Sequence, residues 1–170
     1  MTEENRLLSV NGSLRDLGGG KGAVRMESLY PTDPDDLWSA LTNAERLARW
    51  IAKVEGDLRL HGTFAASFTS GWTGDGRVEE CEPPHRLLLS MMPGTDDETV
   101  IEARLTVEGD ATRLVIEERG IPLAEIGAHG AGWQAHTEDL QRYLRWSQPS
   151  NWQRRWKELK PHYESIASVL

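Results

Sequence analysis

The feature that most constrains this chain is a change of hydrophobic period. Between residues 57 and 119 apolar side chains recur every second residue, and from about Leu123 they recur at helical spacing. Phe64, Ala66 and Phe68 alternate with Thr63, Ala65, Ser67 and Thr69. Ile101, Ala103, Leu105 and Val107 alternate with Glu102, Arg104 and Thr106, and Leu114, Ile116 and Glu118 share a face of the next run. A Gly-rich turn (Gly71, Gly74, Gly76), Pro83-Pro84 and Glu108-Gly109-Asp110 separate the runs, as in an antiparallel meander. A sheet with one apolar face needs a cover. Ile126, His129, Trp133, His136, Leu140, Tyr143 and Leu144 fall within one helical sector of roughly 100° and supply it. The expected class is α+β, a long helix lying on one curved antiparallel sheet.

Upstream, residues 11–17 and 22–30 flank Gly18-Gly19-Gly20-Lys21 and read as a hairpin, with Val24, Met26, Ser28 and Tyr30 on one face. Asp33 followed by Pro34 is an N-cap signature for a helix reaching about Leu41. Thr42 or Asn43 caps a second short helix, Ala44 to Trp50. The glycines lack both a Gly-Lys-Ser/Thr ending and the GxGxxG spacing, so no phosphate cradle and no cofactor is expected.

After Pro149, Trp152, Trp156, Leu159, Tyr163, Ile166 and Leu170 alternate steps of four and three, an amphipathic helix with Pro161 as a kink or break. Five basic and two acidic residues give positions 145–170 a net charge of +3, in a chain of net charge −8. The basic tail lies against the acidic body, against a second copy, or in solvent. Its apolar stripe either docks on its own domain or forms a partner or dimer contact through Trp152, Trp156 and Tyr163. A homodimer through this extension is one expectation.

The acidic balance argues against nucleic acid as a partner. No apolar run approaches the ~20 residues of a membrane span, so no membrane is expected. The first residues lack the basic and apolar regions of a signal peptide, and a cytoplasmic location is expected. A lone cysteine, Cys81, precludes an intramolecular disulfide and a cysteine metal cluster. Its acidic neighbours Glu79, Glu80 and Glu82 disfavour a thiolate.

Several phrases resemble one family. Leu37-Trp38-Ser39-Ala40-Leu41-Thr42-Asn43-Ala44-Glu45-Arg46-Leu47-Ala48-Arg49-Trp50 resembles the opening of the Activator-of-Hsp90-ATPase C-terminal-like domain. Leu58 to Phe64 resembles its Gly-Gly-x-Phe strand, with His61 where a glycine is usual. Gly76 to Leu87 resembles its central hairpin, and Thr112-Arg113-Leu114 and Gly132-Trp133 resemble later markers. The resemblance spans about 22–145 and implies the helix-grip fold of the START/Bet v 1-like (SRPBCC) superfamily, with two short helices after the first core strand. Residues 1–21 are then an N-terminal strand or hairpin extension, and 146–170 a helical extension outside the common core. Activation of Hsp90 does not follow, because the co-chaperone's separate N-terminal domain has no counterpart here.

The resemblance also implies an apolar cavity between helix and sheet, used by different members to bind or transform small hydrophobic molecules. Its expected lining includes Tyr30, Phe64, Phe68, Ile101 and Leu114 from strands and His129, Trp133 and His136 from the helix. Met26, Ser28, Ala103, Leu105 and Ile116 share those strand faces, with Trp50, and Trp72 beside it, closing the mouth. The same residues also suit a solid core. Glu118 is either a cavity carboxylate with a raised pKa, fit for acid/base work, or a strand-end residue in water. His129 and His136 lie about 10.5 Å apart along a helix axis, too far for a two-His chelate, and no metal site is expected. One of them pairing with Glu118 or with a strand hydroxyl is the expected inward arrangement. No catalytic set is shared across the branch, and neither Gly-Ser-Leu at 12–14 nor Thr-Ser-Gly at 69–71 is a nucleophile elbow. The expected role is binding of a small hydrophobic or amphipathic ligand. The alternatives are a cyclase/aromatase-like enzyme using Glu118 and a His, or an interaction module working through the C-terminal Trp stripe.

Overall fold

The computed structural model describes residues 9–170. Residues 1–8 of the expected N-terminal extension lie outside the described residues. Eight strands form one antiparallel sheet: β1 (Asn11–Gly18), β2 (Lys21–Tyr30), β3 (Ala52–Gly56), β4 (Thr63–Phe68), β5 (Thr73–Glu82), β6 (Arg86–Met91), β7 (Thr99–Glu108) and β8 (Ala111–Pro122). Their order in space is β1-β2-β8-β7-β6-β5-β4-β3. Strands β3 to β8 are the expected meander, and β2, which pairs with β8, is followed by two short helices, α1 (Pro34–Thr42) and α2 (Ala44–Trp50). A 3-10 turn, Leu123–Glu125, leads into α3 (Ile126–Leu144), and α4 (Trp152–Ala167) follows. This is the α+β helix-grip arrangement. No described helix is long and apolar enough to cross a membrane.

Local signals act as the sequence indicates. Asp33 Oδ1 accepts from the Asp36 N–H with Pro34 in the first turn, and Asn43 Oδ1 accepts from the Arg46 N–H. Gly18, Gly19 and Gly20 all have positive φ and turn β1 into β2. Arg46 ties three helices together, donating to Asp36 of α1 at 2.8 Å and to the Tyr143 hydroxyl of α3 at 2.8 Å.

The structure corrects four local expectations. Residues 57–62 form a loop rather than the start of a strand, and β3 precedes them at 52–56. His61 is a turn residue with φ 66°, which accounts for glycine being usual at that position. Gly74 and Gly76 belong to β5, not to a turn, and the Trp72 and Phe64 rings occupy the space a Cβ would fill. Pro161 does not break α4, which runs continuously from Trp152 to Ala167.

The largest difference concerns the two last helices. A single apolar stripe was expected on α3, yet Ile126, Ala131, Ala135 and Leu140 are buried together with Gly127, Gly130, Gly132, Thr137 and Gln141. The reason is that α4 packs along α3 as a second cover beside the sheet, with Tyr163 reaching Met26 of β2. The C-terminal stripe therefore docks on its own domain through Trp152, Trp156 and Tyr163. Tyr163 is 1% exposed, and its hydroxyl donates to Gln134 Oε1 at 2.5 Å. The Trp156 indole donates to the Ala128 carbonyl at 3.0 Å, and Arg155 grips Glu138 of α3 through two bonds of 2.7 and 2.8 Å. The basic tail thus meets an acidic residue of the body.

Glycines on α3 set how closely α4 approaches. A Cβ at Gly130 would stand 2.6 Å from the Tyr163 ring, whereas one at Gly132 would meet Trp152 at an ordinary 3.4 Å. Alanine favours a helix over glycine, so contact distance decides the sign. Gly130→Ala is expected to destabilise by about 1–3 kcal/mol through overpacking. Gly132→Ala is expected to be neutral or to stabilise by about 0.5–1 kcal/mol through helix propensity. Urea titrations of the two variants beside the parent check this contrast.

Candidate functional site

Strand β8 carries the central group. Its alternation places Leu114, Ile116 and Glu118 on the covered face, and Glu118 pairs in register with Val24 of β2 and Ile101 of β7. A carboxylate thus stands between two apolar side chains and is 8% exposed. Gly120, with φ 92°, is the extra residue of a bulge two positions on, which bends the strand beside this group. The covering helix supplies partners. The Trp133 indole N–H donates to Glu118 Oε1 at 2.9 Å, and His129 Nδ1 lies 3.2 Å from the same oxygen. The Thr99 hydroxyl donates to Oε2 at 2.9 Å.

These partners reverse the expected titration of Glu118. Burial pushes its pKa up, but the His129 hydrogen bond and charge, with the Trp133 and Thr99 bonds, outweigh it and leave the pKa below the usual carboxylate range. Burial pulls His129 down, but Glu118 and then Glu125 more than offset that, and its pKa is raised. The two form an ion pair on the wall of the site, not a protonated acid. His136 is different. It is enclosed by the rings of Phe68, Trp133 and Trp152, and burial lowers its pKa to about 3, so it is neutral near pH 7.

The space in front of these groups is a cleft of about 550 Å³ between the sheet, α3 and the start of α4. Phe68, Ile101, Glu118, His129, Trp133 and His136 all line it, with Trp72 on its rim packed edge-on against Phe68 at 5.4 Å. A second, almost wholly apolar chamber of about 100 Å³ lies deeper, toward α2, and is bounded by Trp50 and Phe64. Phe68, Met91, Ile101 and Trp133 border both spaces and form the partition between them.

Three expected lining residues stand elsewhere. Tyr30 is fully buried and donates to the Thr137 carbonyl at 3.3 Å, and Leu114 is closed within the core. Both are core residues, because β2 and β8 lie directly under the middle of α3 there. Trp50 faces the inner chamber, not the mouth, and its indole donates to the Ala40 carbonyl at 2.9 Å. Conversely, Thr99, Met91, Met92, Trp152 and Trp156 line the cleft and were not expected there. The Trp stripe of the tail was visible in the sequence, but not its target. Cys81 is half-buried, and burial raises its thiol pKa. No group of three metal-ligating side chains occurs among the described residues.

The opposed titrations give a signed expectation. The pair adds stability chiefly between the ordinary values of 4.5 for Glu118 and 6.5 for His129. Its contribution falls as Glu118 protonates below that window and as His129 loses its proton above it. His136 acts the other way: below pH 6.5 the unfolded chain takes up a proton that the folded chain refuses until about pH 3. Moving from pH 7 to 5, His136→Leu should therefore gain roughly 2 kcal/mol relative to the parent, read by chemical denaturation at each pH.

Comparison with known proteins agrees with this architecture. CalU16 from Micromonospora echinospora is 25% identical and superposes with a TM-score of 0.77, over 94% of this chain and 99% of that one. DynU16, from the dynemicin biosynthetic locus, is 28% identical with a TM-score of 0.68. That match covers 75% of this chain and only 48% of DynU16. EF2215 from Enterococcus faecalis shares the fold at 17% identity, with a TM-score of 0.75 over 94% of this chain and 92% of that one. No curated protein matches the sequence. Residues 31–145 match the family described as Activator of Hsp90 ATPase homolog 1-like protein, and they include β7, β8, α3 and the Glu118 site. The chain belongs to the Activator of Hsp90 ATPase homolog 1-like family, within the SRPBCC superfamily.

Proposed function

We propose that the protein binds a small hydrophobic or amphipathic molecule in the cleft between the sheet and α3. One observation carries this reading: an open space of about 550 Å³ walled by Phe68, Trp72, Trp133, Trp152 and Trp156 around a buried, paired carboxylate. Its volume falls in the range of roughly 300–1,000 Å³ typical of small-molecule pockets. Aromatic walls supply apolar area at small entropic cost, and polar groups at one place orient what they hold. The similarity to DynU16, from the dynemicin biosynthetic locus, supports a biosynthetic small molecule as the ligand class.

A second reading, catalysis on such a ligand, is favoured by one feature. His129 is held with a raised pKa at the cleft wall, where a protonated imidazole can act as a general acid toward bound ligand. Glu118, held by three hydrogen-bond partners, then positions His129. The alternative of an interaction module working through the C-terminal Trp stripe has less to favour it, because Trp156 and Tyr163 of that stripe bond within the chain.

Ligand binding is tested with a panel of aromatic, steroid-like and fatty-acyl compounds, read by tryptophan fluorescence and thermal shift. A ligand at 100 times its Kd should add about 2.7 kcal/mol of stability. Trp72→Ala should weaken the best ligand about tenfold, the scale of a rim indole contributing ~1.4 kcal/mol, and change the free protein's stability by about 1 kcal/mol or less. No response across the panel refutes the reading. For catalysis, His129→Gln should abolish turnover while binding persists.

A further inference from the structure

Two nitrogens beside the cleft have no hydrogen-bond partner among the described residues: His136 Nδ1 and Trp152 Nε1. Both are shut from bulk water, and their rings face each other with centroids 5.1 Å apart, tilted by 33°. Buried polar groups are normally paired, because leaving one unpaired forfeits its hydration without return. The other indoles of this region follow that rule: Trp133 donates to Glu118 and Trp156 to the Ala128 carbonyl. Ser150 Oγ is also without a partner, but its residue does not line the cleft. His136 and Trp152 both line it.

We infer that His136 and Trp152 form the recognition point for a neutral hydrogen-bond acceptor, a carbonyl-type oxygen carried on a flat apolar ligand. This deepens the ligand-binding reading and rests on it. The indole N–H is a donor only, so its missing partner must be an acceptor. A neutral imidazole tautomer with its proton on Nδ1 makes the same demand. The surroundings fix the rest of the ligand. Trp152 stacks nearly parallel on Trp156, at 6.2 Å and 14°, and Phe68 and Trp133 flank His136, so the acceptor must sit on a body that suits ring faces. A cationic ligand group meets in Glu118 a charge already matched by His129, on a carboxylate also bonded by Trp133 and Thr99. Trp152 stands in the first turn of α4 and is half-buried, so a tilt of its ring opens the pair to the cleft. This half of the recognition point lies beyond residues 31–145, the part shared with the family. The extension thus supplies specificity as well as cover.

The test uses fluorene and 9-fluorenone, which share one rigid tricyclic frame and differ by a methylene against a carbonyl. Equilibrium dialysis gives both affinities for the full chain, for Trp152→Phe and for His136→Leu. Loss of one neutral hydrogen bond predicts that the ketone's advantage over the hydrocarbon falls about tenfold in each variant. His136→Leu should also melt no lower than the parent near pH 7, because it removes an unpaired polar atom. An unchanged ketone-to-hydrocarbon ratio overturns the inference and leaves ligand binding standing. So does a marked loss of stability in His136→Leu, which would show that the nitrogen serves the fold. Failure of both compounds to bind the parent overturns this inference and, with a silent ligand panel, the ligand-binding reading as well.

Discussion

Helix α3 is covered on two sides, by the sheet and by α4, and the rest of the architecture follows from that double burial. A helix covered once needs one apolar stripe. A helix covered twice needs small residues where the second cover comes close, and α3 has Gly127 against Glu164 and Gly130 against Tyr163. The acidic Glu138 then becomes an anchor for Arg155 instead of a solvated residue. Because α4 is pinned at this distance, its first turn ends beside the open end of the sheet. That is why two tail indoles reach the cleft.

The same constraint explains the chemistry of Glu118. A carboxylate on an apolar strand face costs several kcal/mol unless it is paired. Here the covering helix pairs it twice from one face, since His129 and Trp133 are four residues apart and converge on one oxygen. The adjacent strand adds Thr99 to the other oxygen. Charge, register and helix phase therefore agree at one residue. The neighbouring His136 is the exception, neutral and incompletely bonded, and such local exceptions concentrate at binding sites.

Much of this was legible in the chain itself. The period-2 runs gave the meander, and the Asp33-Pro34 and Asn43 caps located α1 and α2 within a residue. Glu118 was identifiable because it shares a face with Leu114 and Ile116, and Glu118 or a strand hydroxyl was the expected partner for one of the two histidines. Other positions were not legible. Tyr30 and Leu114 have the same pattern as Phe68 and Ile101, yet the first two are sealed in the core and the others line the cleft. Alternation reports which face a residue is on, but not where along the strand the covering helix leaves a gap. Strand β3 escaped notice because Ala52-Lys53-Val54-Glu55-Gly56 is too short to show a period.

The sequence by itself determined the class of fold, the direction of each apolar face and the presence of a basic, tryptophan-rich tail, since these depend on spacing along one chain. Only the tertiary structure decided that the tail packs on its own domain, that Glu118 is an ion-paired anion, and that Trp152 meets His136 across the cleft. Each of these depends on distances between segments far apart in sequence. A carboxylate's pKa is set by the groups that surround it, and an indole's partner by the surface it lands on. Local pattern does not encode such distances, and close packing of α3 against its two neighbours does.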